Sequence, residues 1–382
     1  MKGITMMKRQ AERKDIYGRT MALAAVAAIL LTSFSADAAG PTSGYDPRET
    51  IAAEHMLPRD GLDEMRAIPV NGTQQWISVR GARADNPILL YLHGGPGAPM
   101  MAESWTFQRP WEDYFTVVQW DQRGSGKSFS EARRQWDAST TVDQLVDDAE
   151  QVALYLRRQY GKQKIFLLGH SFGTVLGVRL AQRHPDWFYA YVGLGQIVNG
   201  RRNEAAGYEW TVAEAKRRGD ARAIKELEAI APYPERDGTV LPKKTQIQRG
   251  WAVRYGAMLH GQTGDDESRR RSLSPAYNDY DLRSTEIGED LSGERLWVEA
   301  MKTDFDQKTR FECPVIIMGG RYDNITATTV ARAWFDTLDA PKKAFVQFDR
   351  AAHYVVNEVP GEMLTALVTQ VRPLAGADLP PP

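Results

Sequence analysis

Ile165-Phe166-Leu167-Leu168-Gly169-His170-Ser171-Phe172-Gly173-Thr174-Val175-Leu176 decides how this chain folds. Residues 165–168 are an apolar run that predicts a buried strand, residues 174–183 have helical texture, and between them stands G-x-S-x-G at residues 169–173. A serine on so tight a strand-to-helix turn takes strained backbone angles, and side chains in place of the flanking glycines would collide with the strand and the helix. The turn exposes the Ser171 hydroxyl and sets the Phe172 amide at a helix N-terminus, where it serves a developing oxyanion. Ser171 is the candidate nucleophile and Phe172 a candidate oxyanion donor.

Working outward, residues 88–93 (ILLYLH), 115–120 (FTVVQW) and 189–194 (YAYVGL) are further near-continuous apolar runs, as central parallel strands require. Residues 141–160 place Val142, Leu145, Val146, Ala149, Val152, Ala153 and Leu156 at helical spacing, which predicts a crossover helix. Alternation of this kind yields a mostly parallel sheet with helices on both faces. From residue 197 to 308 the texture turns charged and poor in strands, with helical stretches around 204–218 and 221–230 and a proline-rich break at 232–242, so an inserted helical cap is expected there. Residues 315–318 (VIIM) and 344–348 (AFVQF) resume the strand pattern, and 362–371 reads as a final helix. The expected organisation is a leader at 1–38, a core first part at 39–196, the cap at 197–308 and a core second part at 309–382.

A serine hydroxyl needs a base, and a histidine base needs an acceptor that fixes its tautomer. His353 alone among the six histidines follows the last candidate strand. Asp323 follows Gly319-Gly320-Arg321-Tyr322 at the end of the preceding strand, where open α/β sheets build their sites. Asp349 and Glu358 are rivals for the acid, and Asp323 is preferred because it sits one strand earlier than the histidine. His93-Gly94-Gly95-Pro96-Gly97-Ala98-Pro99 is an open yet stiff loop whose Gly95 amide is the candidate second oxyanion donor. Neither a Walker spacing, a dinucleotide fingerprint nor a metal-ligand spacing appears, so no cofactor and no metal are expected.

Composition narrows the partners. With 48 basic and 49 acidic residues the formal charge is −1, which gives no reason to expect nucleic acid as a partner. The run Arg269, Arg270, Arg271 reads as a solvated face. The lone Cys313 permits no intrachain disulfide and reads as a buried small hydrophobe. Basic residues from Lys8 to Arg19, an apolar stretch at 21–31 and Ala36-Asp37-Ala38 have the layout of a secretory signal peptide. That stretch is short for a membrane span, so the expectation is export to the periplasm or medium with no stable anchor after cleavage.

HGGPG at 93–97, WDQRGSGKS at 120–128, GHSFG at 169–173 and GGRYD at 319–323 together resemble the proline iminopeptidase branch of the α/β-hydrolases. The resemblance covers residues 88–196 and 314–353. It implies an α/β-hydrolase fold with an inserted cap, and release of an N-terminal residue, often proline, from small peptides. It also implies that cap glutamates grip the free amine, with Glu204 and Glu209 standing near the expected place, and that Asp121 and Arg123 brace the oxyanion loop. Typical members carry tryptophan after the nucleophile, where this chain has Phe172. A small ester as substrate, with esterase or lactonase activity, is the alternative, and a non-catalytic ligand-binding scaffold is the reading of another class.

Overall fold

A strand covered by helices on both faces has no polar side to show, and the apolar runs of this chain accordingly become the middle of one sheet. The computed structural model describes residues 46–129, 140–261 and 266–379, so the expected leader lies outside the described residues. Helix α1 (Pro47–Glu54) leads to strands β1 (Leu62–Val70), β2 (Thr73–Gly81), β3 (Ile88–Leu92) and β4 (Thr116–Trp120). Helix α2 (Val142–Gln159), β5 (Ile165–His170), α3 (Gly173–Arg183) and β6 (Phe188–Leu194) follow. Then come helices α4 (Gly200–Arg218), α5 (Ala221–Ala229), α6 (Pro242–Arg254), α7 (Asp266–Ser272) and α8 (Asp279–Ala300). The chain closes with β7 (Val315–Gly320), α9 (Thr328–Thr337), β8 (Lys343–Phe348), α10 (Val355–Glu358) and α11 (Pro360–Ala366).

The sheet has eight strands in the order β1-β2-β4-β3-β5-β6-β7-β8. β2 pairs antiparallel with β1 and β4, and every other pairing is parallel. Alternate residues of the central strands serve opposite sides: Leu90, Leu167 and Ile317 join one core with helices α2 and α3, while Leu89, Tyr91, Phe166 and Ile316 join another with α10 and α11. Helix α2 is opened by Thr141, whose hydroxyl accepts from Gln144 N at 3.1 Å, and it buries the apolar stripe that its spacing promised.

Two elements departed from the sequence reading. The β1–β2 hairpin was not separately recognised, although Asn71 and Gly72, with φ of 41° and 80°, make the two-residue turn between the paired Val70 and Thr73. Helix α8 was missed because its buried stripe, Asp281, Ser284, Thr285, Gly288, Ser292, Leu296 and Ala300, is small and polar and carries no hydrophobic period. Those small residues let α8 approach the core closely: a Cβ on Gly288 would stand 2.4 Å from the Gly124 carbonyl oxygen.

The helices between β6 and β7 leave and rejoin the core at one place. Gly200 N donates to Thr303 O at 2.9 Å and Phe305 N to Val198 O at 2.8 Å, so the outgoing and returning chains are zipped together at the root of the cap.

Candidate active site

β5 ends in a turn that demands glycine near the serine on both sides. Ser171 has φ of 54°, and a Cβ on Gly173 would stand 2.1 Å from Leu92 O and one on Gly169 2.5 Å from Gly173 O. Ser171 N donates to Leu194 O at 2.9 Å, fastening the turn to the end of β6. Neither the Phe172 amide nor the Gly95 amide is bonded to a described residue, and Gly95 holds φ of 110° in the loop after β3. A Cβ on Gly94 would stand 2.9 Å from Ser171 Cβ, which places the loop against the serine. The two amides thus belong to segments that meet at the Ser171 turn.

The loops after β7 and β8 bring Asp323 and His353 together from residues far apart in the chain. His353 Nδ1 bonds Asp323 Oδ2 at 2.9 Å, and both side chains are buried. Asp323 Oδ1 accepts from Ile325 N (2.9 Å) and Thr326 N (2.8 Å), and Oδ2 also accepts from Thr326 Oγ1 (2.8 Å). Burial alone would raise the Asp323 carboxyl, but His353 and these donors outweigh it and hold it below the usual carboxylate range. His353 lies against Gly195, the residue after Leu194, since a Cβ there would meet its Cε1 at 3.2 Å. Ser171 and His353 therefore flank the same strand end. Ser171 Oγ is not hydrogen-bonded to His353, and such bonds are often long before substrate arrives. The rivals fall elsewhere: Asp349 Oδ1 accepts from Gln347 Nε2 at 2.9 Å, and Glu358 binds backbone amides.

Two other histidines are buried beside the site. Burial pushes His170 down to about 3 and His93 to about 4. His170 Nε2 donates to His353 O at 3.2 Å, and the two rings lie 4.9 Å apart. His93 Nε2 accepts from Gln122 N at 3.2 Å and contacts Ser125 Oγ at 3.1 Å, so Gln122 and Ser125 brace the oxyanion loop. Asp121 and Arg123 do not perform that bracing. Asp121 accepts from Tyr277 OH (2.5 Å) and Lys127 N (2.7 Å), tying the core to the cap, and Arg123 grips the buried Asp148 at 2.8 and 2.9 Å.

The cap glutamates need correction. Glu204 is buried, but its carboxylate is already held by Arg249, by Asn203 Nδ2 at 3.1 Å and by Tyr233 OH at 2.5 Å. Glu209 is exposed on the face of α4 opposite its buried stripe of Asn203, Glu204, Gly207 and Thr211. The arginine run is corrected too, because Arg270 and Arg271 fold inward. Arg271 Nε donates to the fully buried Glu103 at 3.0 Å, with Glu289 at 3.1 Å and Glu267 at 2.5 Å, and Arg270 Nε reaches Glu103 at 3.2 Å. Tyr354, next to His353, donates to Glu267 at 3.2 Å, which sets this cluster one side chain from the Asp–His pair. Burial raises the carboxyls of Glu103 and Glu289 against the pull of Arg271.

Sequence reasoning missed this cluster, and it missed Thr326 and the Met258 carbonyl, which accepts from His353 N and Tyr354 N at 3.1 and 3.2 Å. A carbonyl leaves no mark in a sequence, and the glutamates come from three separate segments.

Relatives agree with this architecture. The probable aminopeptidase YbaC of Bacillus subtilis (strain 168) is 30% identical over 329 residues, 83% of this chain and 99% of that protein. The proline iminopeptidase of Neisseria gonorrhoeae is 39% identical over 310 residues, covering 76% of this chain and 90% of its own. A proline iminopeptidase-related protein of Thermus thermophilus has the same fold, with a TM-score of 0.57 at 22% identity over 83% of this chain and 98% of its own. Sheet order and that likeness together define the fold, which is of the α/β-hydrolase type. A family model for serine aminopeptidase, S33, matches residues 111–360, and the chain belongs to that family, in the proline iminopeptidase-like branch.

Proposed function

We propose that this chain is a serine hydrolase that removes the N-terminal residue, proline or another small one, from short peptides through an acyl-enzyme. The observation that carries the reading is the Asp323–His353 hydrogen bond at the strand end that also holds the Ser171 turn. Ser171 Oγ attacks the carbonyl carbon as His353 Nε2 takes its proton, with Asp323 fixing the tautomer and stabilising the imidazolium. The Phe172 and Gly95 amides receive the oxyanion, His353 returns the proton to the departing amine, and water activated by the same histidine releases the acid.

Among the described residues Glu103, Glu267 and Glu289 pair with Arg270 and Arg271, so the cluster beside Tyr354 has one more formal negative charge than positive. A substrate ammonium neutralises that excess, whereas an ester has nothing to offer it. Glu267 and Glu289, the partly exposed members, are the carboxylates that receive the amine in this reading, in place of Glu204 and Glu209.

The test compares proline and alanine arylamides with their N-acetylated forms and with short acyl esters. Free-amine substrates should dominate, and Ser171→Ala should abolish turnover while the fold is kept. Equal turnover of acetylated and free substrates would move the reading to an esterase, and full activity without the serine would end it. We also propose export, on the leader-like composition of residues 1–38. Sequencing of the mature N-terminus should then begin near residue 39.

A further inference from the structure

His353 stands on a short loop after β8 that no strand pairing holds, yet its backbone is gripped on every side. Met258 O, on the cap, accepts from His353 N at 3.1 Å and Tyr354 N at 3.2 Å, and His170 Nε2 donates to His353 O at 3.2 Å. Ala352 N, one residue before the base, donates to Glu358 Oε2 at 2.8 Å. The other oxygen, Glu358 Oε1, accepts from His260 N at 2.5 Å. One carboxylate therefore joins the loop that carries the base to the cap segment whose carbonyl seats that base, closing a ring through Ala352, His353, Met258, His260 and Glu358.

Burial raises the Glu358 carboxyl above the usual range, against the pull of the two amides from which it accepts. Its two amide donors come from segments almost a hundred residues apart. The neighbouring cap segment is anchored independently: Leu259 is buried in the core, and the His260 ring stacks on Tyr322 at 3.7 Å.

We infer that Glu358 is a positioning residue, which fixes the imidazole of His353 by locking its loop to the cap at Met258 and His260. This rests on the reading of His353 as the general base. Glu358 touches no reacting atom, so its loss should act on turnover and leave substrate binding alone.

The experiment uses the full chain, with kcat and KM on proline and alanine arylamides measured per folded molecule for Glu358→Ala, Glu358→Gln and His353→Ala. Glutamine keeps one acceptor and turns an N–H toward the other amide, so kcat should fall about tenfold; alanine leaves both amides unpaired, and kcat should fall about a hundredfold, the scale of a catalytic group displaced by about 1 Å. KM should stay within about threefold in both. Should the alanine variant fail to fold, the glutamine variant decides. An unchanged kcat in Glu358→Gln, with His353→Ala inactive, overturns this inference alone; an active His353→Ala overturns the general-base reading and the inference with it. A loss of melting temperature with kcat and KM intact would make Glu358 a merely structural residue and also overturns it.

Discussion

The strand-end site and the cap cluster beside it are built by opposite means. At the strand ends, backbone does the positioning: the Ser171 turn, the Gly95 loop and the amides around Asp323 are fixed by glycines and by strand pairing within a few residues. At the cap, Glu267, Glu289, Arg270 and Arg271 converge on Glu103 of the core, and the cluster is held by ion pairs between side chains distant in sequence. The first kind of site resists substitution around it and is intolerant of substitution in it. In the second kind every charge leans on the others, so the loss of one leaves its partners buried and unpaired.

The sharpest way to break this contrast is Asp323→Asn. It keeps the shape but removes the acceptor that fixes His353, and kcat should fall by about 10³–10⁴ with little change in KM, as steady-state kinetics would show. Equal loss in both parameters would mean that the aspartate holds the substrate. Next in size, Arg271→Met leaves Glu103, Glu267 and Glu289 facing one another in a buried setting and should cost about 3–5 kcal/mol in urea unfolding.

Asp121 tests the seam between the two regions. Burial raises its carboxyl to about 7, against partial compensation from Tyr277 and Lys127. A folded-state value above the unfolded one means that its stabilising contribution is complete below about pH 4 and is lost as pH rises through about 7, a span worth on the order of 4 kcal/mol. Asp121→Asn should flatten the pH dependence of unfolding across that window, and an unaltered slope would assign it to other groups. Smaller again, Glu289→Gln should raise KM about tenfold for free-amine substrates, equivalent to ~1.4 kcal/mol, and leave acetylated ones unmoved. Smallest of all, Glu209→Ala should change stability by less than about 0.5 kcal/mol and leave kinetics untouched.

What could be read in advance follows the same division. The central strands, the elbow and the crossover helix declare themselves because burial on both faces, a forced positive φ and an amphipathic stripe each leave a local pattern. Chain order and their loops after the last two strands carried Asp323 and His353, and the fold brings them within bonding distance. Helix α8 left no such pattern, since close approach to the oxyanion loop selects Gly288 and Ser292 over large apolar residues. The same applies to Arg270 and Arg271, which look solvated in sequence because the glutamates that bury them lie near residues 103 and 289. The β1–β2 hairpin has a local mark as well, since Asn-Gly is the pair that a two-residue turn with two positive φ angles selects.

The zipped root at Val198, Gly200, Thr303 and Phe305 brings both ends of the excursion between them to one point. Because both ends meet there, a different or shorter insert closes the chain without shifting the register of β6 against β7, and loop-closure entropy grows only slowly with insert length. Any replacement must, however, answer the core groups that the present insert pairs: Glu103 with two arginines, Asp121 with a phenol, and the His353 and Tyr354 amides with a carbonyl in the place of Met258.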